Sequence, residues 1–386
     1  MDTQNTPIHI KLWHRSFWYL AIAELCLTTG VFSFLISLPS ILQNMNFTDG
    51  QIRMSLFVFG VGLFLLAPFS SYLIQRFRRN KVFVVSAFIL VAIVSSYFSK
   101  LSFCSFYSVL CRQLAVGALY GLCQIVLQGT LINDLCESFL RTEADHVMSW
   151  FSRFSLAIGP CLAYLLLQNS LYSYCIIVPA ALLLLSLLFV STVSFPFKAP
   201  DDDIKLLSLD RFFLLKAWPL ALMVALTTFI FGLVYSAVNY PIFYVFVLGG
   251  LILALLSEKY VFQNADLKSE AVSGFLALIA FILIIMSIPF SKLLFLKGIL
   301  FGFSCGIIGS RFLLFFIKLS MHCQRGTSQS SFILSWVFGL VSGLASRHAV
   351  ALSNSHAWLL ACALTVSLLL IYNFCIHPWY IHNKNR

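Results

Sequence analysis

The residues best suited to chemistry are few and far apart. Glu24 stands inside an apolar run, and Arg112 and Lys297 stand inside two others, where an ionisable group costs several kcal/mol by insertion scales. A lone carboxyl in such a place can take up and release a proton, and two cations can attract an anionic or amphiphilic molecule. Each has a structural alternative. Glu24 would then be a neutral or hydrogen-bonded packing residue, and Lys297, five residues from Lys292, would extend its amine outward along its apolar stem. Asp201, Asp202 and Asp203 form an acidic triplet that reads as solvated loop rather than as a metal site. The eight histidines fall in termini, loops or the ends of apolar runs, and the eleven cysteines carry no paired CxxC spacing, so small buried thiols are expected. No metal, no cofactor and no clustered acid, base and ligand set of an enzyme is predicted. No P-loop is present to bind a nucleotide.

The elements that must hold these residues follow from composition. With 60% hydrophobic residues, 10% charged residues and a mean hydropathy of +0.93, the chain would expose far too much apolar surface to water. Its solvent is lipid, where only helices and closed barrels satisfy their backbone. Runs such as Ala180 to Leu185 and Leu276 to Met286 are apolar on every face rather than alternating, which excludes a barrel. The fold class is therefore all-α. Apolar runs predict spans near 17–39, 53–75, 82–99, 104–131, 147–168 and 172–195, then near 217–238, 240–257, 271–288, 293–317, 329–347 and 355–378. The tight connections at Asn239 to Tyr240 and around Pro289 leave ten to twelve spans open. The first run follows a polar start, keeps Glu24 and lacks a small-residue cleavage site, so it reads as a retained helix.

Taking the amino terminus as cytoplasmic puts most of the 25 lysines and arginines on cytoplasmic connections or termini. Arg53, Lys100, Lys292 and Arg347 fall on the outer side, and Arg112, Arg153, Lys297 and Arg311 inside spans. The positive-inside rule then orients both termini toward the cytoplasm of a cell inner membrane. It also accounts for much of the +11 charge without nucleic acid. Residues 198–216 read as a linker with a short interfacial helix, dividing six-helix halves at 1–197 and 217–386. Arg112, Gly117 and Gly121 recur as Lys297, Gly302 and Gly306 at one constant offset, as expected of a parallel repeat.

Three motifs then resemble the major facilitator superfamily across nearly the whole chain. The segment Ser71 to Lys81 resembles the family's G-x-L-x-D-R-x-G-R-R-x loop: Arg76 and Arg79 match, while Ser71, Gln75 and Arg78 replace its Gly, Asp and second Gly. Arg112 resembles an R-x-x-x-G signature, with the glycine one place late at Gly117. The segment Ser155 to Ala163 resembles the exporters' G-x-x-x-G-P-x-x-G pattern, keeping Gly159 and Pro160 and substituting the small Ser155 and Ala163. Residues 155, 159 and 163 share one helical face, and Pro160 favours a bend there. The phrases Gly62 to Pro68, Glu137 to Ala144 and Trp150 to Phe154 look like a bacterial branch of the superfamily.

The resemblance implies a monomeric secondary transporter embedded in membrane lipid, with a small-molecule substrate and protons as its expected partners and a cavity lined by the first, fourth, seventh and tenth spans. It places Glu24, Arg112 and Lys297 on three of those four. Apolar and aromatic dominance favours export of a lipophilic or amphiphilic compound; uptake of an organic anion and a non-transporting receptor or assembly factor are the alternatives. Arg153 and Arg311, near predicted span ends, are expected to snorkel. Asp134, Glu137, Glu143 and Asp145 crowd the loop after the fourth span, on the same side as Arg76, Arg78 and Arg79, which predicts an ion-pair latch.

Overall fold

The computed structural model describes residues 11–98, 105–195, 205–262, 265–289, 291–346 and 354–384. The Asp201 to Asp203 triplet, Lys100, Arg347 and the predicted boundary at 197/198 lie outside the described residues. The described residues form an all-helical bundle with twelve long helices among them. In the first half these are α1 (Arg15–Gln43), α2 (Asp49–Arg76), α3 (Arg79–Ser95), α4 (Phe106–Leu135), α5 (Arg141–Gln168) and α6 (Tyr174–Ser191). In the second they are α7 (Leu215–Ala237), α8 (Pro241–Tyr260), α9 (Leu267–Ser287), α10 (Leu294–Leu319), α11 (Arg325–Ser346) and α12 (Trp358–Asn383). All but the 17-residue α3 are long and apolar enough to cross a bilayer by themselves.

Local chemistry marks the helix ends. Thr48 and Gln51 form a reciprocal capping box at the start of α2, and the His14 ring accepts the Phe17 N–H ahead of α1. Pro241 opens α8, where a missing N–H costs nothing, so the short Asn239–Tyr240 connection separates two true spans. Where hydropathy and structure differ, polar first turns are the reason. α5 begins at Arg141 and α11 at Arg325, each several residues before its apolar stretch, because helices continue beyond the hydrocarbon into polar surroundings. α2 is interrupted after Gly62 and resumes at the Pro68 turn, and α4 passes through a π-helical turn at Leu127–Leu131.

Within the first bundle α1 packs on α5 and α6, α2 on α4, and α3 on α4 and α6. The second bundle repeats the scheme with α7 on α11, α8 on α10, and α9 on α10 and α12. Glycines make the repeat physical. A Cβ on Gly117 of α4 would stand 2.2 Å from the Phe59 carbonyl oxygen and 3.2 Å from the Gly62 Cα of α2. A Cβ on Gly302 of α10 would stand 2.1 Å from the Val247 carbonyl oxygen of α8, with the facing Gly250 held just as closely. Lipid offers no hydrophobic drive to push helices together, so close backbone approach supplies the packing energy. The bundles meet where α5 touches α8 and α10, where α2 touches α11, and where the π-helical turn of α4 touches α11. The end carrying residues 76–79, 135–141 and 205–216 is referred to below as the linker end.

Candidate functional site

Glu24 is fully buried in α1. Its Oε1 accepts the Thr28 hydroxyl one turn on, at 2.6 Å, and the Gln124 side-chain amide of α4, at 3.1 Å. The Gln124 amide nitrogen also lies 3.2 Å from both the Thr28 and the Tyr120 hydroxyl oxygens. The chain continues: Gln128 donates to the Gln124 carbonyl at 2.9 Å, and Gln329 of α11 donates to the Gln128 carbonyl at 2.7 Å. Three amides donate in one direction and end on the carboxyl, which polarises each bond of the row. The second carboxyl oxygen, Oε2, has no hydrogen-bond partner, and the Ser152 side chain of α5 is among the polar neighbours of the carboxyl group. One continuous polar path thus runs from α1 through α4 into the opposite bundle.

The π-helical turn of α4 helps make that path. Gln124 and Gln128 lie four apart and share a face, and the turn that begins at Leu127 carries Gln128 and Gly129 together toward α11. Gly129 and Gly326 meet there backbone to backbone, and a Cβ on Gly326 would stand 2.1 Å from the Gly129 carbonyl oxygen. The sequence marks Glu24 but not its partners, because glutamines in apolar helices give no signal of what they face.

Two arginines expected to snorkel do not. Arg153, twelve residues into α5, turns toward the interior of the bundle and not toward an end. It is buried; its Nε donates to the Ser149 carbonyl at 3.0 Å, and one Nη donates to the Ser149 hydroxyl at 2.6 Å. The other Nη crosses between bundles to the Gly306 carbonyl of α10 at 2.7 Å, and the guanidinium sits 3.9 Å from the Trp150 ring centroid. Arg311 forms ion pairs with Glu258 of α8 at 3.3 Å and Glu270 of α9 at 2.6 Å. His146 of α5 joins this group, 3.4 Å from Glu258 and 2.9 Å from the Ser310 hydroxyl. The missed signal was available: Glu258 and Glu270 flank the predicted spans at 240–257 and 271–288, on the same side as Arg311.

The remaining candidates lie apart from Glu24. Arg112 stands toward the far end of α4, where it donates to the Ser108 hydroxyl at 3.0 Å and stacks on Tyr97. The Lys297 amine donates to the Ile288 and Pro289 carbonyls at 3.1 and 2.8 Å, capping the C-terminal end of α9, where cations are favoured. At the linker end Arg79 pairs with Asp134, and the Gln75 amide turns back to the Ser71 hydroxyl at 3.3 Å. Arg76 and Glu137 flank this pair in sequence, and Glu137 is half-buried. Ser155, Gly159, Pro160 and Ala163 are all buried, and Gly159 packs against Thr29, Phe32 and Ser33 of α1 within the first bundle. Among the described residues no group of three or more His, Cys, Asp and Glu side chains converges as a metal site.

The Arg79–Asp134 pair is largely screened from solvent, so removing one partner strands the other charge. Arg79→Ala and Asp134→Ala are each expected to lower stability by about 1 to 3 kcal/mol. The exchange Arg79→Asp with Asp134→Arg is expected to restore most of it, read as a double-mutant cycle on thermal unfolding; additive losses with no rescue would show that the two charges do not interact.

No curated protein matches the sequence. Solved structures match it closely in fold. A D-xylose-proton symporter superposes with a TM-score of 0.66 at 14% identity, covering 93% of this chain and 97% of that one. A bacterial homologue of the iron transporter ferroportin in its outward-facing state gives 0.66 at 14%, covering 95% and 99%. A nucleoside transporter gives 0.64 at 13%, covering 93% and 99%. At such identities the likeness concerns the fold. Over residues 20–357 the sequence matches the Major Facilitator Superfamily. The chain therefore belongs to the major facilitator superfamily and has its transporter fold.

Proposed function

We propose that the chain is a proton-coupled secondary transporter that exports a lipophilic or amphiphilic compound by alternating access, with Glu24 as the proton carrier. The observation that carries this reading is the path from Glu24 through Gln124 and Gln128 to Gln329. A carboxyl that changes protonation at one end of that path would alter a bond across the seam between bundles, which links proton state to the relative position of the two halves. The preference for apolar cargo rests on aromatic side chains, Trp150 at the seam and a cluster inside the second bundle. A Cβ on Gly306 would stand 3.1 Å from Trp150, and one on Gly309 would stand 3.0 Å from Trp336. Phe231 packs 5.7 Å from Trp336 and 5.5 Å from Phe301, ring centre to ring centre.

In this reading the protein is a monomer in a cell inner membrane, with the linker end and both termini in the cytoplasm. Uptake of an organic anion is the second reading, favoured by the buried cation Arg153 at the seam. Cells lacking the protein, with and without a restoring copy, are to be compared for accumulation of lipophilic cations, neutral amphiphiles and organic anions. Lower accumulation of an amphiphile in the restored cells, abolished by a protonophore, is the expected result. Raised accumulation of organic anions alone would replace the export reading with the second one.

A further inference from the structure

A cavity of about 250 Å³ opens at the linker end between the bundles, separate from the Glu24 path. Four arginines line it: Arg79 from α3, Arg141 from α5, Arg211 from the segment before α7, and Arg325 from the first turn of α11. Their charges are incompletely answered. Asp134 is taken by Arg79, and Asp210 accepts the backbone N–H of Arg211 at 3.0 Å. Asp145, buried in α5, has Arg325 and Arg141 as its charged neighbours, and Arg325 also reaches the Ser138 carbonyl at 3.4 Å. The count leaves four guanidiniums against three carboxylates, next to the positive end of the 22-residue α11.

Two guanidinium N–H groups are left over. The Nε atoms of Arg141 and Arg211 are both buried without a hydrogen-bond partner. A buried donor left unpaired costs about 1 to 3 kcal/mol, more when charged, so a native site containing two of them invites an acceptor. Arg211 is held in position by its backbone, which lies in the left-handed region at φ 68° and donates to the Thr327 hydroxyl of α11 at 3.1 Å. Burial, and after it the nearby Arg79 charge, push the Arg211 pKa below its ordinary value, a penalty that an anion in the cavity would offset.

We infer that this cavity is a binding site for a soluble phosphate-class oxyanion, held by guanidiniums from both bundles. Several guanidiniums converging from different elements suit an acceptor with oxygens on all sides, and the volume admits a phosphate group with a small substituent. The site lies between the bundles and not on the lipid-facing surface, which assigns a dissolved anion and not a lipid headgroup. Because Arg141 and Arg325 belong to opposite halves, occupancy ties the halves together at this end and favours the arrangement in which it is closed.

Cys323 lines the same cavity and is exposed. The test is maleimide labelling of the full-length protein in nanodiscs of neutral phosphatidylcholine, with inorganic phosphate or chloride at equal ionic strength, and peptide mass spectrometry resolving each cysteine. Saturating phosphate is expected to slow labelling of Cys323 by about fivefold or more. Arg211→Gln is expected to abolish that protection. Equal rates in phosphate and chloride for the unaltered protein would overturn the site without reference to any variant. Equal protection in Arg211→Gln would overturn its location. Protection produced by phosphatidate-containing discs, with none from phosphate, would overturn the soluble ligand.

Discussion

Glu24→Gln is expected to abolish uphill transport driven by a pH gradient while leaving the protein folded. Glutamine keeps the volume of the side chain, and its carbonyl can still accept from Thr28 and Gln124, so the bonds at 2.6 and 3.1 Å have a successor. What it lacks is a proton to exchange. A gradient of one pH unit is worth about 1.4 kcal/mol per proton, enough to support roughly tenfold accumulation when one proton moves with each substrate. In proteoliposomes the variant should lose all of that, reaching equal concentrations on both sides, and downhill exchange of labelled for unlabelled substrate should persist. Thermal unfolding close to that of the parent would establish that the fold is intact. Accumulation at the parental level would remove Glu24 from the coupling mechanism and leave it a packing residue.

Gly302→Leu is expected to prevent stable assembly of the second bundle, whereas Gly249→Leu is expected to be tolerated. At position 302 even the first added carbon would lie 2.1 Å from the Val247 carbonyl oxygen and 3.0 Å from the Val247 Cα, and neither atom can move without shifting α8. At position 249, one residue before the glycine that faces Gly302, an added carbon meets nothing within 4 Å. Overpacking typically costs about 1 to 3 kcal/mol where side chains can yield, and a clash with backbone exceeds the upper end of that range. Separating two membrane helices also forfeits the dispersion contacts that hold them together, with no compensating hydrophobic gain in lipid. Size-exclusion profiles and melting curves of the two variants in one detergent provide the comparison. Equal stability of both would mean that α8 and α10 do not approach as closely as described.

The twelve helices stand where the apolar runs predict them, because about 20 residues of hydrocarbon-compatible sequence have few alternatives in lipid. The paired glycines were legible for the same kind of reason: Gly117 and Gly302 sit at one constant offset, and both prove to be points of backbone contact between the second and fourth helices of a bundle. Orientation was less legible than existence. Arg153 was placed near a surface because it lies only about 9 Å past the start of the apolar stretch near 147. Its side chain instead turns inward, buried and bonded across the seam to the Gly306 carbonyl, a choice that depends on the facing helix and not on depth.

Partners were the least legible of all. Lys297 and Arg112 occupy matching places in the repeat, and matching places suggested a shared cavity. The structure instead gives Lys297 the carbonyls that end α9 and Arg112 the Tyr97 ring. By itself, then, the sequence determined the medium, the all-helical class and the approximate places of the apolar spans, and it marked Glu24 as a carboxyl inside one of them. Each of these depends on hydropathy and on spacing along one chain. Only the tertiary structure decided which charges answer one another, that Glu24 connects through three amides to the far bundle, and that four arginines from four separate segments enclose one cavity. Those relations depend on which face each helix turns toward its neighbours. That is set by the best packing of glycines and side chains over the whole bundle, a property no single segment contains.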